Sequence, residues 1–223
     1  MALILNIETT TTNCSVSISI EGKTVFLKQD NNKNYSHAES LHVFIDAVLK
    51  ESKTTIADID AIAVSKGPGS YTGLRIGVSA AKGLCFALNK PLISVPTLQS
   101  LAYQVNMEDG IIVPMLDARR MEVYSAIFNS DYNQIRETEA EILDESSFKD
   151  YLDKGKVYFI GNGVEKTKAI ITHPNAIFID DKLPSATHMG LLAYNKYKIS
   201  DFEDVAYFEP YYLKDFVALK AKS

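Results

Sequence analysis

The order of predicted strands and helices repeats once along this 223-residue chain. The first half reads as three strands, a helix, a strand, a helix, a strand and a helix, beginning with the apolar run Leu3–Ile7. A second apolar strand begins at Ile111, and the same order of elements follows it. A repeat of about half the chain predicts two similar α/β lobes, each a mixed sheet with helices on its faces.

The duplication sets the predicted domain boundaries. Residues 1–106 form an N-terminal lobe, residues 107–199 a C-terminal lobe, and residues 200–223 a tail that packs back on the lobes. In each half the first strand leads into a turn that begins with an acid, Glu8 or Asp117. Two such hairpins facing across a cleft are typical of actin-like and sugar-kinase-like ATPases, where carboxylates manage the metal of a bound nucleotide. The sequence therefore predicts the actin-like ATPase (ribonuclease H-like) fold.

The turns of the two hairpins differ from those that usually bind phosphate. Neither ETTTTN nor DARRME contains glycine, which close approach of the backbone to a phosphate favours. The residues that could contact a nucleotide or line the cleft are Glu8, Thr9, Thr10, Asp117, Arg119 and Arg120. The arginines can pair with phosphate or with the carboxylates of a partner. An autonomous ATP-dependent kinase is therefore the alternative function, and the glycine-free turns argue against it.

A glycine-rich segment, SKGPGSYTGLRIGVSAAKGL (65–84), joins a predicted strand to a predicted helix from about Thr72 to Leu88. It contains no G-x-x-x-x-G-K-[ST] sequence, so it is not a Walker A phosphate loop. Gly73, Gly77 and Ala81 fall four residues apart on one face of the helix. This strip of small residues, called the glycine strip below, allows another backbone to come close. That backbone belongs either to this chain's own sheet or to a partner.

Composition and charge narrow the function classes. The net charge is −5 and the basic residues do not cluster, so tight nucleic-acid binding by this chain alone is not expected. Cys14 and Cys85 lie in apolar segments without a CxxC partner, which indicates buried thiols in a reducing compartment. The N-terminus lacks the basic region of a signal peptide, and no uncharged apolar run is long enough to span a bilayer. The four histidines form no HxxxH motif, so no metal is expected on this chain.

Five segments together resemble one protein family. They are ILNIETTTTNCSVSI, HAESLHVFIDAVL, SKGPGSYTGLRIGVSAAKGL, MLDARRMEVYSAIF and FEPYYLKDFVA. Through them nearly the whole chain resembles the TsaB family of tRNA threonylcarbamoyladenosine biosynthesis proteins, also catalogued as glycoprotease-like or peptidase-M22-like. The resemblance implies a noncatalytic, cytoplasmic partner of the catalytic paralogue TsaD and the small ATPase TsaE. That assembly transfers a threonylcarbamoyl group from its adenylate to the adenosine beside the anticodon of tRNAs that read codons beginning with A.

The resemblance also implies where cofactors are held. ATP or ADP and a metal are expected on the partner chains, tRNA is reached only through the complex, and no membrane is involved. The paralogue's His-x-x-x-His metal motif falls at Thr97 and Leu101, and neither side chain can replace an imidazole ligand. A metallopeptidase, the third function considered, is therefore disfavoured, and no catalytic residue is expected on this chain.

A docking surface on two helices is the last implication of the resemblance. One helix starts near His37 and the other follows the GPGS loop. A TsaD-like paralogue is expected to pack on this pair, and a second copy of the chain to use the same surface when the chain is alone. The predicted interface residues are Leu41, Phe44, Ile45, Val48, Gly73, Arg75, Ile76, Gly77, Ala80 and Ala81.

Overall fold

The structure, a computed structural model, describes residues 1–31 and 37–214. The strands are β1 (Leu3–Glu8), β2 (Asn13–Ile20), β3 (Lys23–Asn31), β4 (Ala61–Gly67), β5 (Leu92–Pro96), β6 (Ile111–Asp117), β7 (Glu122–Asn129), β8 (Gln134–Ile142), β9 (Val157–Ile160) and β10 (Ala176–Ile179). The α-helices are α1 (His37–Ser52), α2 (Tyr71–Leu88), α3 (Thr97–Ala102), α4 (Lys149–Leu152), α5 (Val164–Lys168) and α6 (Met189–Lys198). Two short 3-10 helices lie at Ile56–Asp58 and Ala186–His188.

The strands form two five-stranded sheets with the same topology. The N-terminal sheet has the order β3-β2-β1-β4-β5, and the C-terminal sheet has the equivalent order β8-β7-β6-β9-β10. In each sheet the first three strands in chain order pair antiparallel and the last two add in parallel. The predicted duplication and its α/β class are therefore confirmed.

Helices cover both faces of the N-terminal sheet, which explains why every residue of β1 is buried and why most are apolar. Leu5 and Ile7 point to one face, where they pack with Leu41 of α1 and Val78 of α2. Ile4 points to the opposite face and packs against α6. Since α6 follows β10 in the chain, the second half supplies one of the two layers on the first sheet.

The exchange of helices between the lobes runs in both directions. Helix α3 belongs to the first half of the chain, yet Leu98 and Leu101 pack with Ile112 and Phe128 of the C-terminal sheet. The strands of the N-terminal sheet end at Pro96, and those of the C-terminal sheet begin at Ile111. The helices α3 and α6 cross that division, so each lobe depends on the other for part of its core.

Close backbone contact and hydrogen bonds fix α6 and the segment before it on the N-terminal sheet. A Cβ atom at Gly190 would lie 2.8 Å from Cβ of Ser19, so any residue larger than glycine would collide with β2 at this position. Ser17 donates from Oγ to the Ala186 carbonyl at 2.8 Å. The amide of Ala186 in turn donates to Oγ of Ser15 at 2.9 Å. Small polar side chains of β2 therefore satisfy the backbone at the joint between the lobes.

The described part of the predicted tail, Ser200–Lys214, touches both lobes. The Glu203 amide donates to the Leu92 carbonyl at 2.8 Å, and the Tyr211 amide donates to the Lys66 carbonyl at 2.7 Å. Lys214 then pairs with Glu122 at the start of β7. Residues 215–223, the rest of this segment and of the FEPYYLKDFVA motif, lie outside the described residues. Among the described helices, none is long and apolar enough to cross a membrane.

The exchange of helices predicts that the first half cannot fold alone. A fragment of residues 1–106 lacks α6 and exposes the apolar side chains of Ile4, Ile93 and Val95. Burial of such side chains stabilises a domain by about 1.5–3 kcal/mol each. We expect the fragment to unfold without cooperativity in urea and to bind a hydrophobic dye. The full chain should unfold cooperatively and bind little of the dye. A cooperative transition of the fragment near the full-length midpoint would contradict this.

Candidate functional site

An apolar groove of about 440 Å³ lies between α1 and α2 on the outer face of the N-terminal lobe. It is lined by Ala38, Leu41, His42, Ile76, Ser79, Ala80, Gly83 and Leu84. Both helices use one apolar stripe against the sheet, and Ile76, Ala80 and Leu84 lie at the edge of that stripe, partly exposed. On the same helices Val43 is 62% exposed and Phe86 is 85% exposed. The pair thus presents more apolar surface than a solvated face needs.

The structure divides the predicted interface residues into two groups. Phe44, Ile76 and Ala80 are partly exposed and Arg75 is exposed, so part of each side chain lies on the protein surface. The others are buried in the free chain: Leu41, Ile45, Val48, Gly73, Gly77 and Ala81. For these buried residues the prediction is corrected, because their surface is already covered by the chain's own sheet and first hairpin. Leu41 still forms the floor of the groove.

The glycine strip of α2 packs against the first hairpin of the same chain. A Cβ atom at Gly73 would overlap the Thr9 carbonyl oxygen, and one at Gly77 would overlap Thr9 Oγ1. Thr9 Oγ1 donates to the Gly73 carbonyl at 2.8 Å. At the start of the helix, Ser70 donates its amide to the Thr10 carbonyl at 2.7 Å. The strip therefore accommodates the chain's own first hairpin, which is one of the two alternatives that the sequence left open.

Glu8 braces the first hairpin from inside the protein. Its Oε1 accepts from the Thr10 amide at 2.6 Å, and its Oε2 accepts from the hydroxyl of Ser65 on β4. Burial raises the pKa of the Glu8 carboxyl, and the hydrogen bonds from Ser65 and Thr10 oppose that rise. Glu8, Thr9 and Thr10 are 0%, 1% and 1% exposed. These three predicted nucleotide contacts therefore present almost no surface to a ligand.

The second hairpin is exposed, and a lysine of α5 forms hydrogen bonds to it. Lys166 on α5 donates to Asp117 Oδ1 at 2.6 Å, to the Arg120 carbonyl at 2.6 Å and to the Glu122 carbonyl at 3.0 Å. Its ammonium group sits among three oxygens, an arrangement that could otherwise hold a cation. The carboxylate predicted to face a nucleotide is thus already paired with a positive charge of the same chain.

Thr97 and Leu101, which the family resemblance aligns with the metal ligands of the catalytic paralogue, are buried in the core. Thr97 Oγ1 accepts a hydrogen bond from the Gly67 amide at 3.1 Å, and Leu101 is fully buried. Within residues 1–31 and 37–214, no three histidine, cysteine, aspartate or glutamate side chains are grouped to hold a metal ion. Burial raises the pKa of Cys14 to about 11 and of Cys85 to about 12, so both thiols stay protonated.

The chain is similar in sequence to proteins of known function along nearly its whole length. It is 30% identical to the tRNA threonylcarbamoyladenosine biosynthesis protein TsaB of Escherichia coli, over 97% of this chain and 96% of that protein. It is 27% identical to the Haemophilus influenzae protein of the same name, over 97% and 95%. The chain belongs to the TsaB family.

A family model for TsaD, tRNA N6-adenosine threonylcarbamoyltransferase, also matches residues 31–222. The Staphylococcus saprophyticus enzyme of that name is 36% identical, over 51% of this chain and 38% of its own length. A solved structure titled YeaZ from Pseudomonas aeruginosa has a TM-score of 0.82 at 26% identity, covering 96% of this chain and 100% of that one. The ethanolamine utilization protein EutJ of Carboxydothermus hydrogenoformans, at 10% identity and a TM-score of 0.53, shares the fold alone. The predicted actin-like fold is confirmed.

The most informative residues that sequence reasoning missed in this TsaB-family chain are the partners of the second hairpin. Lys166 and Lys214 pair with Asp117 and Glu122 at its two ends, from distant parts of the sequence. No motif links them to the hairpin, because the fold alone brings α5 and the tail to it. On the groove, Ser79 and Leu84 were also missed, although their spacing from Ile76 and Ala80 on α2 could have indicated them.

The buried carboxyl of Glu8 predicts a specific pH dependence of stability. Its pKa lies above the ordinary value of 4.5 in the folded state, so the folded chain binds this proton more tightly than the unfolded chain. The resulting stability is complete below pH 4.5 and is lost as the pH rises through the raised pKa. The Glu8→Gln side chain does not titrate. As the pH rises from acidic to mildly alkaline, the wild type should therefore lose stability that the variant keeps, and the difference in free energy of unfolding should shift in favour of the variant.

Urea unfolding across that pH range measures the difference. Glu139→Gln serves as a matched control, since Glu139 is exposed on β8. Its free energy of unfolding should follow that of the wild type at every pH. Parallel pH profiles for Glu8→Gln and wild type would show that Glu8 is not destabilised by burial of its charge.

Two glycines of the same helix should respond oppositely to alanine. At Gly73 a methyl group collides with the Thr9 backbone, and we expect a loss of about 1–3 kcal/mol in the free energy of unfolding. At Gly83 nothing lies within 4 Å of the new atom, and alanine should add about 0.5–1 kcal/mol. Chemical denaturation of both variants checks this. Equal stabilities would refute the packing assigned to the glycine strip.

Proposed function

We propose that the chain is a noncatalytic scaffold subunit that a TsaD-like catalytic paralogue requires for activity. With that paralogue and a TsaE-like small ATPase, it supports threonylcarbamoyl transfer to the adenosine beside the anticodon of tRNAs that read codons beginning with A. ATP or ADP and the metal belong to the partner chains, tRNA is bound through the complex, and the assembly works in the cytoplasm. Membership of the TsaB family and the apolar groove on α1 and α2 support this proposal.

The absence of catalysis on this chain is supported by how the residues of its cleft are used. Thr97 and Leu101 complete the core where the catalytic paralogue is expected to carry its metal ligands. Glu8 is fully buried, and Asp117 is paired with Lys166. The groups that could manage a nucleotide's metal are therefore engaged within the chain, and the transfer chemistry is assigned to another subunit.

The groove is the observation that carries the scaffold role. Its residues on α2 include Ile76, Ala80 and Leu84, which are apolar and partly exposed, and Phe86 on the same helix is 85% exposed. An apolar centre with a polar rim is the usual anatomy of a stable protein interface, and His42 and Ser79 supply polar atoms here. A pair of helices from the paralogue fits this surface. When the chain is alone, a second copy is proposed to occupy it.

Reconstitution tests the proposal directly. The TsaD-like enzyme and the TsaE-like ATPase of the same organism are combined with threonylcarbamoyl-adenylate and unmodified tRNA, with and without this chain. We expect modified tRNA only in the mixture that contains the chain, and none from the chain alone. Equal yields in the two mixtures would exclude a required scaffold, and product from the chain alone would exclude a noncatalytic one.

Ala80→Glu tests where the paralogue docks. The new carboxylate lies in the groove, where burial against an apolar partner surface without a counter-charge should weaken binding at least about tenfold. Ala80 is partly exposed, so the variant should stay folded. The matched control is Ala169→Glu, the same change at an exposed residue after α5. Size-exclusion chromatography with the paralogue should show loss of co-elution for Ala80→Glu alone. Normal co-elution of Ala80→Glu would place the interface elsewhere.

A further inference from the structure

The tip of the hairpin between β6 and β7 carries two adjacent arginines in an unusual backbone conformation. Arg119 and Arg120 have φ angles of +72° and +49°. Side chains other than glycine, asparagine and aspartate rarely occupy this left-handed region, and each such residue costs of the order of 1 kcal/mol. Both side chains are exposed, so packing of their own side chains does not explain the choice of arginine.

Hydrogen bonds hold this tip rigidly. The Arg119 amide donates to Asp117 Oδ1 at 2.7 Å, and the Glu122 amide donates to the Arg119 carbonyl at 3.1 Å. From behind, Lys166 binds the Arg120 carbonyl at 2.6 Å. The backbone of the tip is thus fixed before binding, and only the two arginine side chains remain to be ordered.

The charges of the two arginines are not compensated. The neighbouring acids are both occupied, Asp117 by Lys166 and Glu122 by Lys214. Neither Arg119 nor Arg120 forms an ion pair with any residue in the described part of the chain. The tip is therefore a local positive site on a protein whose net charge is −5.

The other two arginines of the chain are used differently. Arg75 lies 5.4 Å from the centre of the Tyr71 ring, and Arg136 pairs with Glu141 in a partly buried site. Guanidinium groups match phosphate oxygens in a two-pronged geometry that lysine cannot offer. The tip is also separate in sequence from the groove, since every groove residue lies between positions 38 and 84.

We infer that Arg119 and Arg120 contact the phosphodiester backbone of the RNA that the assembled complex modifies. This inference rests on the proposed function, because an acidic chain with a single two-arginine site does not hold RNA by itself. In the complex the tip adds contacts to RNA already bound by the catalytic paralogue. Backbone contacts of this kind position the RNA without reading its sequence. The glycine-free turn suits this role, since the side chains reach the phosphates and the backbone need not.

The test measures binding of a labelled, unmodified tRNA to the complex of this chain with the TsaD-like enzyme, between about 50 and 200 mM salt. Arg119→Asn/Arg120→Asn removes both charges and places a residue that tolerates the left-handed region at each position. Each lost phosphate contact lowers the slope of log affinity against log salt by about 0.7–0.9. We expect a slope smaller by about 1.4–1.8 and a dissociation constant about tenfold higher at the lowest salt.

Further variants separate charge from geometry and from folding. Arg119→Lys/Arg120→Lys keeps the charges without the two-pronged geometry and should retain the salt slope with intermediate affinity. Lys23→Ala/Lys198→Ala removes two exposed charges from the other lobe and α6, and should bind RNA as the wild type does. The asparagine variant should melt no lower than the wild type and should co-elute normally with the paralogue.

Each other outcome overturns the inference. An unchanged salt slope for the asparagine variant would show that the arginines do not touch phosphate. Loss of co-elution with the paralogue would show that they bind its carboxylates instead. A wild-type chain that adds nothing to the RNA affinity of the TsaD-like enzyme would also refute it. Reconstituted transfer activity reports on the scaffold role separately, so failure of the RNA contact and failure of the proposed function are distinguishable.

Discussion

The structure depends on one packing requirement: the N-terminal sheet is buried on both faces, and its own half of the chain covers only one of them. Helices α1 and α2 occupy the outer face, while α6 crosses from the C-terminal half to cover Ile4 and Ile93 on the inner face. Helix α3 from the N-terminal half likewise covers one face of the C-terminal sheet. Because each lobe completes the core of the other, the lobes share one cooperative structure and their relative orientation is fixed by packing.

That rigid joint determines which surfaces remain for function. Thr9 packs against Gly73 and Gly77 of the glycine strip and so fixes the first hairpin on α2, while Ile76, Ala80 and Leu84 of this helix stay partly exposed. The groove with Ile76 and Ala80 is formed by what is left after this internal packing. A surface backed by a fixed helix pair loses little conformational freedom on docking, which favours its use as a platform for a partner.

Periodicity and turn residues sufficed to predict much of this fold from the sequence. The order of elements, the helix after the GPGS loop and the equivalence of the halves are local patterns repeated twice. The packing of the glycine strip was not predictable in the same way, because its small residues fit a partner's backbone and the chain's own Thr9 equally well. Likewise, the spacing of Leu41, Ile45 and Val48 indicates an apolar stripe, but only the fold shows that the sheet already covers it. The role of Lys166 could not be predicted from the sequence, because Lys166 and Asp117 are far apart in the chain and no local pattern links them.

The two hairpins use their acids in the same structural way. In each, the acid at the end of the first strand is satisfied internally: Glu8 by Ser65 and Thr10, Asp117 by Lys166. A carboxylate that binds a metal ion uses free oxygen lone pairs, and these contacts engage both oxygens of Glu8 and Oδ1 of Asp117. The acids that end the two first strands thus act as structural braces within this chain. The proposed contacts lie instead on the outside of the lobes, at an apolar groove on one and a charged hairpin tip on the other. A protein and an RNA bound at these two places would not compete, because the groove and the tip share no residue.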